Sequence, residues 1–170
     1  MTIPDAAPAT EIQFPAWNAL YQIRDFIKDV EDLRGECDGR PLELAAVDLE
    51  TRRSGSEPCA RLEVRYAVYA NGEPPFSSAL NPEHGFLNPA MLLFYLPRQR
   101  DRSSRVKVIL PPGWKLATLL AEAEIAGEFK AASYDELADS PIEAGTFEEY
   151  SYVQSGATYR VIVDAPASDY

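Results

Sequence analysis

Between Arg105 and Gly145 the chain reads RVKVILPPGWKLATLLAEAEIAGEFKAASYDELADSPIEAG. Val106, Val108 and Leu110 alternate with other residues, which is the period of a half-buried strand. Pro111-Pro112-Gly113 then turns the chain, because proline presets φ and glycine accepts a positive one. Trp114 to Leu120 returns as a strand, and Phe129 begins another. Ser133-Tyr134-Asp135-Glu136 has the Ser-x-x-Glu spacing of a capping box, so a short helix begins at Tyr134 and stops before Pro141. Turns this closely spaced leave no room for long helices. The chain has to fold as strands joined by tight corners.

The rest of the sequence agrees. Residues 1–10 are rich in proline and alanine and are expected to be loose. Glu11 to Phe14 reads as a short strand ending at Pro15. Leu20, Ile23, Phe26, Ile27 and Val30 recur at helical spacing, predicting a short amphipathic helix capped by Asn18, with an extended or single-turn segment over Leu20 to Phe26 as the alternative. Asp38-Gly39 is a hairpin signal, with arms over Glu31 to Cys37 and Leu42 to Val47. Thr51 to Pro58 is expected to be a polar loop. Arg61 to Tyr69 places Leu62, Val64, Tyr66 and Val68 on one face of a strand. Residues 71–90 read as a long irregular excursion, anchored by Phe76, Leu80, Phe86 and Leu87. Met91 to Leu96 is continuously apolar and short, as a central strand buried on both faces would be. Phe147 to Val153 and Thr158 to Val163 close the chain as a hairpin around Ser155-Gly156. The expected fold is all-β: a β-sandwich of about nine or ten strands with one or two short helices, a single domain over residues 11–170.

The chain has 170 residues, 46% hydrophobic and 25% charged, with a formal net charge of −11. That charge opposes binding to nucleic acid, and the arginines at 98, 100, 102 and 105, interrupted by Asp101, are expected to form a solvated loop. No apolar run approaches the ~20 residues of a membrane span. No signal peptide is visible, and the compartment, a bacterial-type cytoplasm or periplasm, is left open. Cys37 and Cys59 lack a CxxC spacing, and two unpaired buried thiols are favoured over a disulfide. His84 is the single histidine. A zinc-binding HExxH helix or a Ser-His-Asp triad is therefore hard to assemble, and His84 itself is expected in an exposed Asn-Pro-rich loop. No catalytic or metal-ligating residue is assigned. Asp135, Glu136, Asp139, Ser140 and Glu143 form an acidic corner that suits a substrate cleft or an interdomain contact, although capping and turn formation explain several of them.

Several segments resemble a known family. They are Phe14-Pro15-Ala16-Trp17 with Tyr21 to Phe26, Val64 to Ala70, Phe86-Leu87-Asn88, and Leu92 to Tyr95. Pro111-Pro112-Gly113-Trp114-Lys115-x-Ala117-Thr118 and Tyr134-Asp135-Glu136-Leu137-x-Asp139-Ser140-Pro141-Ile142-Glu143-x-Gly145 match best. Together they resemble the N-terminal domain of the glycyl aminopeptidase-type zinc metallopeptidases, peptidase family sixty-one. Asn18-Ala19-Leu20 departs from the Thr-Pro-Gly usual after the tryptophan, and the strands that usually precede the motif look mostly absent. The resemblance implies a non-catalytic β-domain that packs on a zinc peptidase domain in the same polypeptide and shapes its cleft for peptide substrates. Zinc would belong to that domain, and no cofactor to this chain. The alternative is a stand-alone β-sandwich module that binds a protein or peptide partner.

Overall fold

Alternation and turn chemistry divide the chain into sixteen short strands, one α-helix and two 3₁₀ turns in the computed structural model, which describes residues 1–16, 24–72, 74 and 77–164. The fold is all-β, as the sequence implies. The strands outnumber the nine or ten expected because many are only two to four residues long.

Strand β1 (Thr2–Ala6) replaces the loose start expected of residues 1–10. Its Ile3 and Ala6 are buried, and burial of apolar side chains offsets the cost of ordering a terminus. Strands therefore do precede the Phe14-Pro15 motif, β1 and then β2 (Glu11–Gln13). Most of the expected helix, with Trp17, Leu20 and Ile23, lies outside the described residues. Its end is not α-helical: Ile27–Asp29 is a single 3₁₀ turn and Val30 opens β3 (Val30–Cys37). Phe26 and Ile27 are both buried in a core, so their spacing served packing rather than a helical face.

Asp38 and Gly39 have φ of 50° and 77°, the left-handed pair that a two-residue hairpin requires. They join β3 to β4 (Arg40–Leu42). Then come β5 (Ala45–Ala46) and β6 (Thr51–Arg53). Strand β6 lies inside the expected polar loop. Asp48 Oδ1 accepts from the backbone N–H of Thr51 at 2.7 Å and of Glu50 at 3.0 Å, which turns the chain so that β6 can pair with β2. The alternating run becomes β7 (Cys59–Val68), with Leu62 and Val64 fully buried.

The excursion over residues 71–90 also holds strands, β8 (Ala79–Leu80) and β9 (His84–Leu87). Asn81 Oδ1 accepts from the N–H groups of Glu83 and His84, both at 2.8 Å, and so supplies a turn that the proline content obscured. Phe76 lies outside the described residues. Strands β10 (Ser104–Lys107), β11 (Lys115–Thr118), β12 (Ala121–Glu122) and β13 (Glu128–Ala131) lead to helix α1 (Tyr134–Ala138). The turn before β11 is as expected: Gly113 has φ +85°, and Trp114 N–H donates to Pro111 O at 3.2 Å. Ser133 Oγ caps α1 by accepting from Glu136 N–H at 3.1 Å, and Glu136 accepts in return from Ala132 N–H. Strands β14 (Ile142–Gly145), β15 (Glu148–Gln154) and β16 (Ala157–Val163) complete the described chain.

These strands form sheets ordered β1-β7-β3-β4, β2-β6-β5, β10-β13-β12 and β11-β14-β9-β8, with β15-β16 as a separate hairpin. Two apolar cores result. The first gathers Ile3, Ile12, Phe14, Leu62, Val64 and Phe94 between the first two sheets. The second joins Phe129 and Ala131 to Tyr95 and the helix residues Tyr134, Leu137 and Ala138.

Of Met91 to Leu96, Met91, Phe94 and Tyr95 are buried while Leu92, Leu93 and Leu96 are half-buried, and the run is not a central strand. It follows a 3₁₀ turn at Pro89–Met91, and Tyr95 makes an isolated bridge to Gln13. Tyrosine hydroxyls take the place of ladder partners. Tyr66 Oη donates to Leu92 O and Tyr134 Oη to Leu93 O, each at 2.9 Å. Cys37 and Cys59 form a disulfide, against the expected free thiols, because the β3–β7 pairing brings their Cα atoms within 5.5 Å.

Two outcomes follow for stability. Burial pushes the Tyr66 hydroxyl up to about 12. Above pH ~10 the unfolded chain sheds this proton while the folded chain keeps it, so stability falls as pH rises from ~10 toward ~12. Tyr66→Phe should cost about 1–3 kcal/mol near neutral pH, by stranding Leu92 O, and flatten that alkaline decline. Urea denaturation across pH reads both. Reducing the disulfide should cost about 2–4 kcal/mol, seen as a lower denaturation midpoint in dithiothreitol.

Candidate functional site

Sheet β11-β14-β9-β8 carries the single histidine of the chain beside two carboxylates. In the β9–β14 register Gly145 faces His84 and Glu143 faces Phe86, so Glu143 and His84 lie diagonally on one face. His84 Nε2 sits 2.6 Å from Glu143 Oε2, and Nδ1 sits 3.4 Å from Asp164 Oδ2. The two ring nitrogens point apart. Each therefore meets its own carboxylate, and the three groups clamp strand to strand instead of converging on one point. Gly145 makes this possible: a Cβ there would stand 3.0 Å from Glu83 O and 3.7 Å from His84 Cδ2. His84 is thus a strand residue with a side chain only 21% exposed, not the exposed loop histidine expected. Its surroundings were misread because the turn at Asn81 was not recognised.

The five residues of the acidic corner separate. Asp135 pairs with Arg100 at 2.6 Å on the exposed side of α1. Glu136 belongs to the helix cap, and exposed Asp139 closes the helix, its N–H donating to Asp135 O at 3.0 Å. Ser140 is buried and donates its hydroxyl to Glu136 O at 2.7 Å. Glu143 alone joins the histidine clamp. The partner that the sequence did not reveal is Asp164, far along the chain and without a motif around it. The arginine cluster is partly engaged as well, with Arg105 3.4 Å from Glu124.

Beside the clamp, Lys115 Nζ donates to Phe147 O at 2.9 Å and stands 5.8 Å from the Phe147 ring centre. Phe147 is 2% exposed, so it fixes the point where β14 hands over to β15. Elsewhere, a cleft of about 670 Å³ opens between β1, the 93–96 segment and β10. Tyr66 and Tyr134 line it, and burial raises the hydroxyl pKa of both. Among the described residues, no group of three or more His, Cys, Asp or Glu side chains is arranged to hold a metal, and no helix is long and apolar enough to cross a membrane.

Residues 1–146 match the family described as the Peptidase M61 N-terminal domain. The chain belongs to that family. It is also similar to the crystal structure of an aminopeptidase N family protein from Idiomarina loihiensis, with a TM-score of 0.87 and 25% identity over 97% of this chain. The chain spans 29% of that protein's length. No curated protein matched. As a member of a peptidase N-terminal domain family, the chain carries an all-β architecture whose clamp and helix corner are built largely from internal pairings.

If the Gly145 close approach holds the clamp, Gly145→Ala should lower the unfolding free energy by about 1–3 kcal/mol through forced shifts in β9. Thermal unfolding checks this. An unchanged midpoint would mean that β9 accommodates a methyl group freely.

Proposed function

We propose that this chain is the non-catalytic N-terminal β-domain of a glycyl aminopeptidase-like zinc metallopeptidase. It packs on the catalytic domain of the same polypeptide and forms one wall of its peptide cleft. The observation that carries this reading is the match of 97% of the chain within an aminopeptidase N family protein of which it spans only 29%. The family match over residues 1–146 supports it from the sequence side. The zinc and the hydrolytic chemistry belong to the catalytic domain, and this chain contributes shape and charge.

Asp135, Glu136, Asp139, Ser140 and Glu143 are the proposed cleft or interdomain residues. Asp139 is exposed at the end of α1, and Glu143 is one-third exposed on β14. Either carboxylate can receive the ammonium group of a peptide N-terminus, an interaction of two charged groups stronger than a neutral hydrogen bond. The Cys37–Cys59 bond favours an oxidising compartment as the working environment. A stand-alone peptide-binding module is the second reading, supported by the apolar cleft beside the β1 and β10 edge strands.

In the full-length enzyme, Asp139→Asn combined with Glu143→Gln should lower kcat/KM for peptides with a free N-terminus by about 10- to 100-fold, the worth of one charged hydrogen bond. N-blocked peptides should be unaffected. Equal kcat/KM for wild type and variant removes the cleft role of these residues.

A further inference from the structure

The hairpin β15–β16 differs from every other strand pair described. Its register is regular from Glu148↔Val163 to Gln154↔Ala157, and it pairs with no other strand among the described residues. The Ser155-Gly156 loop has φ of 53° and 82°, the left-handed pair of a tight hairpin turn. All of β15 is exposed, and so are the first five residues of β16. Two-stranded hairpins are marginal in water unless a third strand or a packed face supports them.

The two faces differ in chemistry. One carries Tyr150, Tyr152, Tyr159 and Val161, with exposures of 52%, 51%, 45% and 42%. Tyr152 and Tyr159 stack with ring centres 5.0 Å apart. The other carries the Arg160–Glu149 ion pair at 2.7 Å, with Val153 71% exposed beside it. An aromatic stripe backed by a salt bridge is the pattern of a half-buried sheet whose covering layer is elsewhere. Both feet are fixed. Phe147 is buried under Lys115, and Asp164 meets His84, so the arm is held in one direction before anything binds.

We infer that the β15–β16 hairpin is a docking arm whose Tyr150, Tyr152, Tyr159 and Val161 face is covered by the catalytic domain that follows in the same polypeptide, with a strand of that domain extending the hairpin. This rests on the peptidase reading above. The occupant is chosen on two grounds. The family match ends at residue 146, two residues before the hairpin begins. The aminopeptidase N family structure nonetheless follows 97% of this chain, hairpin included in all but a few residues, and has more than two-thirds of its own length outside the match. Sheet edges recruit further strands, and tyrosine supplies contact area at little entropic cost.

Hydrogen–deuterium exchange on the full-length native polypeptide tests this. The amides of 148–163 should exchange at least about tenfold more slowly than those of an isolated hairpin, at all protein concentrations. Tyr152→Ser with Tyr159→Ser should abolish that protection while β7 stays protected, and Val153→Ser on the opposite face should not. Fast exchange of 148–163 in the wild-type protein overturns the inference without any variant having to fold. Protection that appears only on concentrating the protein assigns the face to a second copy, and overturns it too. If a peptidase domain is present and the hairpin exchanges freely, this inference fails alone. If the native polypeptide has no such domain, the peptidase reading fails with it.

Discussion

Everything else in the molecule depends on how seven residues, 90–96, are shared between two cores. Met91 and Phe94 pack into the first core, while Ala90 and Tyr95 pack into the second. Phe94 meets Phe14 and Tyr66 edge-to-face at 4.8 and 5.0 Å, and Tyr95 stacks on Tyr134 at 4.6 Å. Such ring pairs contribute about 0.5–1.5 kcal/mol each beyond their burial. This segment meets a sheet only at the Tyr95–Gln13 bridge, so the carbonyls of Leu92 and Leu93 must be satisfied in some other way. Tyr66, rising from β7, and Tyr134, from α1, donate to Leu92 and Leu93 and meet that need. The cores are thereby fixed relative to one another through hydroxyls that burial keeps protonated.

That shared segment explains which parts of the fold were legible in sequence. Local chemistry with one meaning was read correctly: Asp38-Gly39, Pro111-Pro112-Gly113, the Ser133–Glu136 box and Ser155-Gly156 all stand where their residues placed them. Leu92 to Leu96 failed because continuous apolarity reports burial and not hydrogen-bond partners. The carbonyl partners come from tyrosines 26 and 41 residues distant. The strands β6 and β9 failed for a different reason. Each depends on an Asx turn, at Asp48 and at Asn81, hidden in a stretch rich in other turn formers.

The site was legible only in part. Carboxylate spacing between Asp135 and Glu143 suggested one cluster, yet helix ends consume carboxylates and serines locally, as they do Glu136 and Ser140, while Asp135 turns away to Arg100. Glu143 escaped because it lies past Pro141 on a strand, where its neighbours come from sheet pairing. Its partner His84 stands 59 residues before it in sequence, the second carboxylate on that histidine, Asp164, 80 residues after His84, and no spacing rule connects them. The disulfide was missed on the same account, since only the β3–β7 register brings Cys37 to Cys59.

Two cores locked by tyrosines, a histidine clamp between β9 and β14 and the proposed hairpin arm suit a chain that holds a partner at a fixed angle. The central claim is that the partner is a zinc peptidase domain in the same polypeptide. Intact mass and metal content of the native protein test it most directly. The account predicts a polypeptide several times heavier than the 18.9 kDa of this chain, carrying stoichiometric zinc. A native protein of 18.9 kDa without zinc would contradict it.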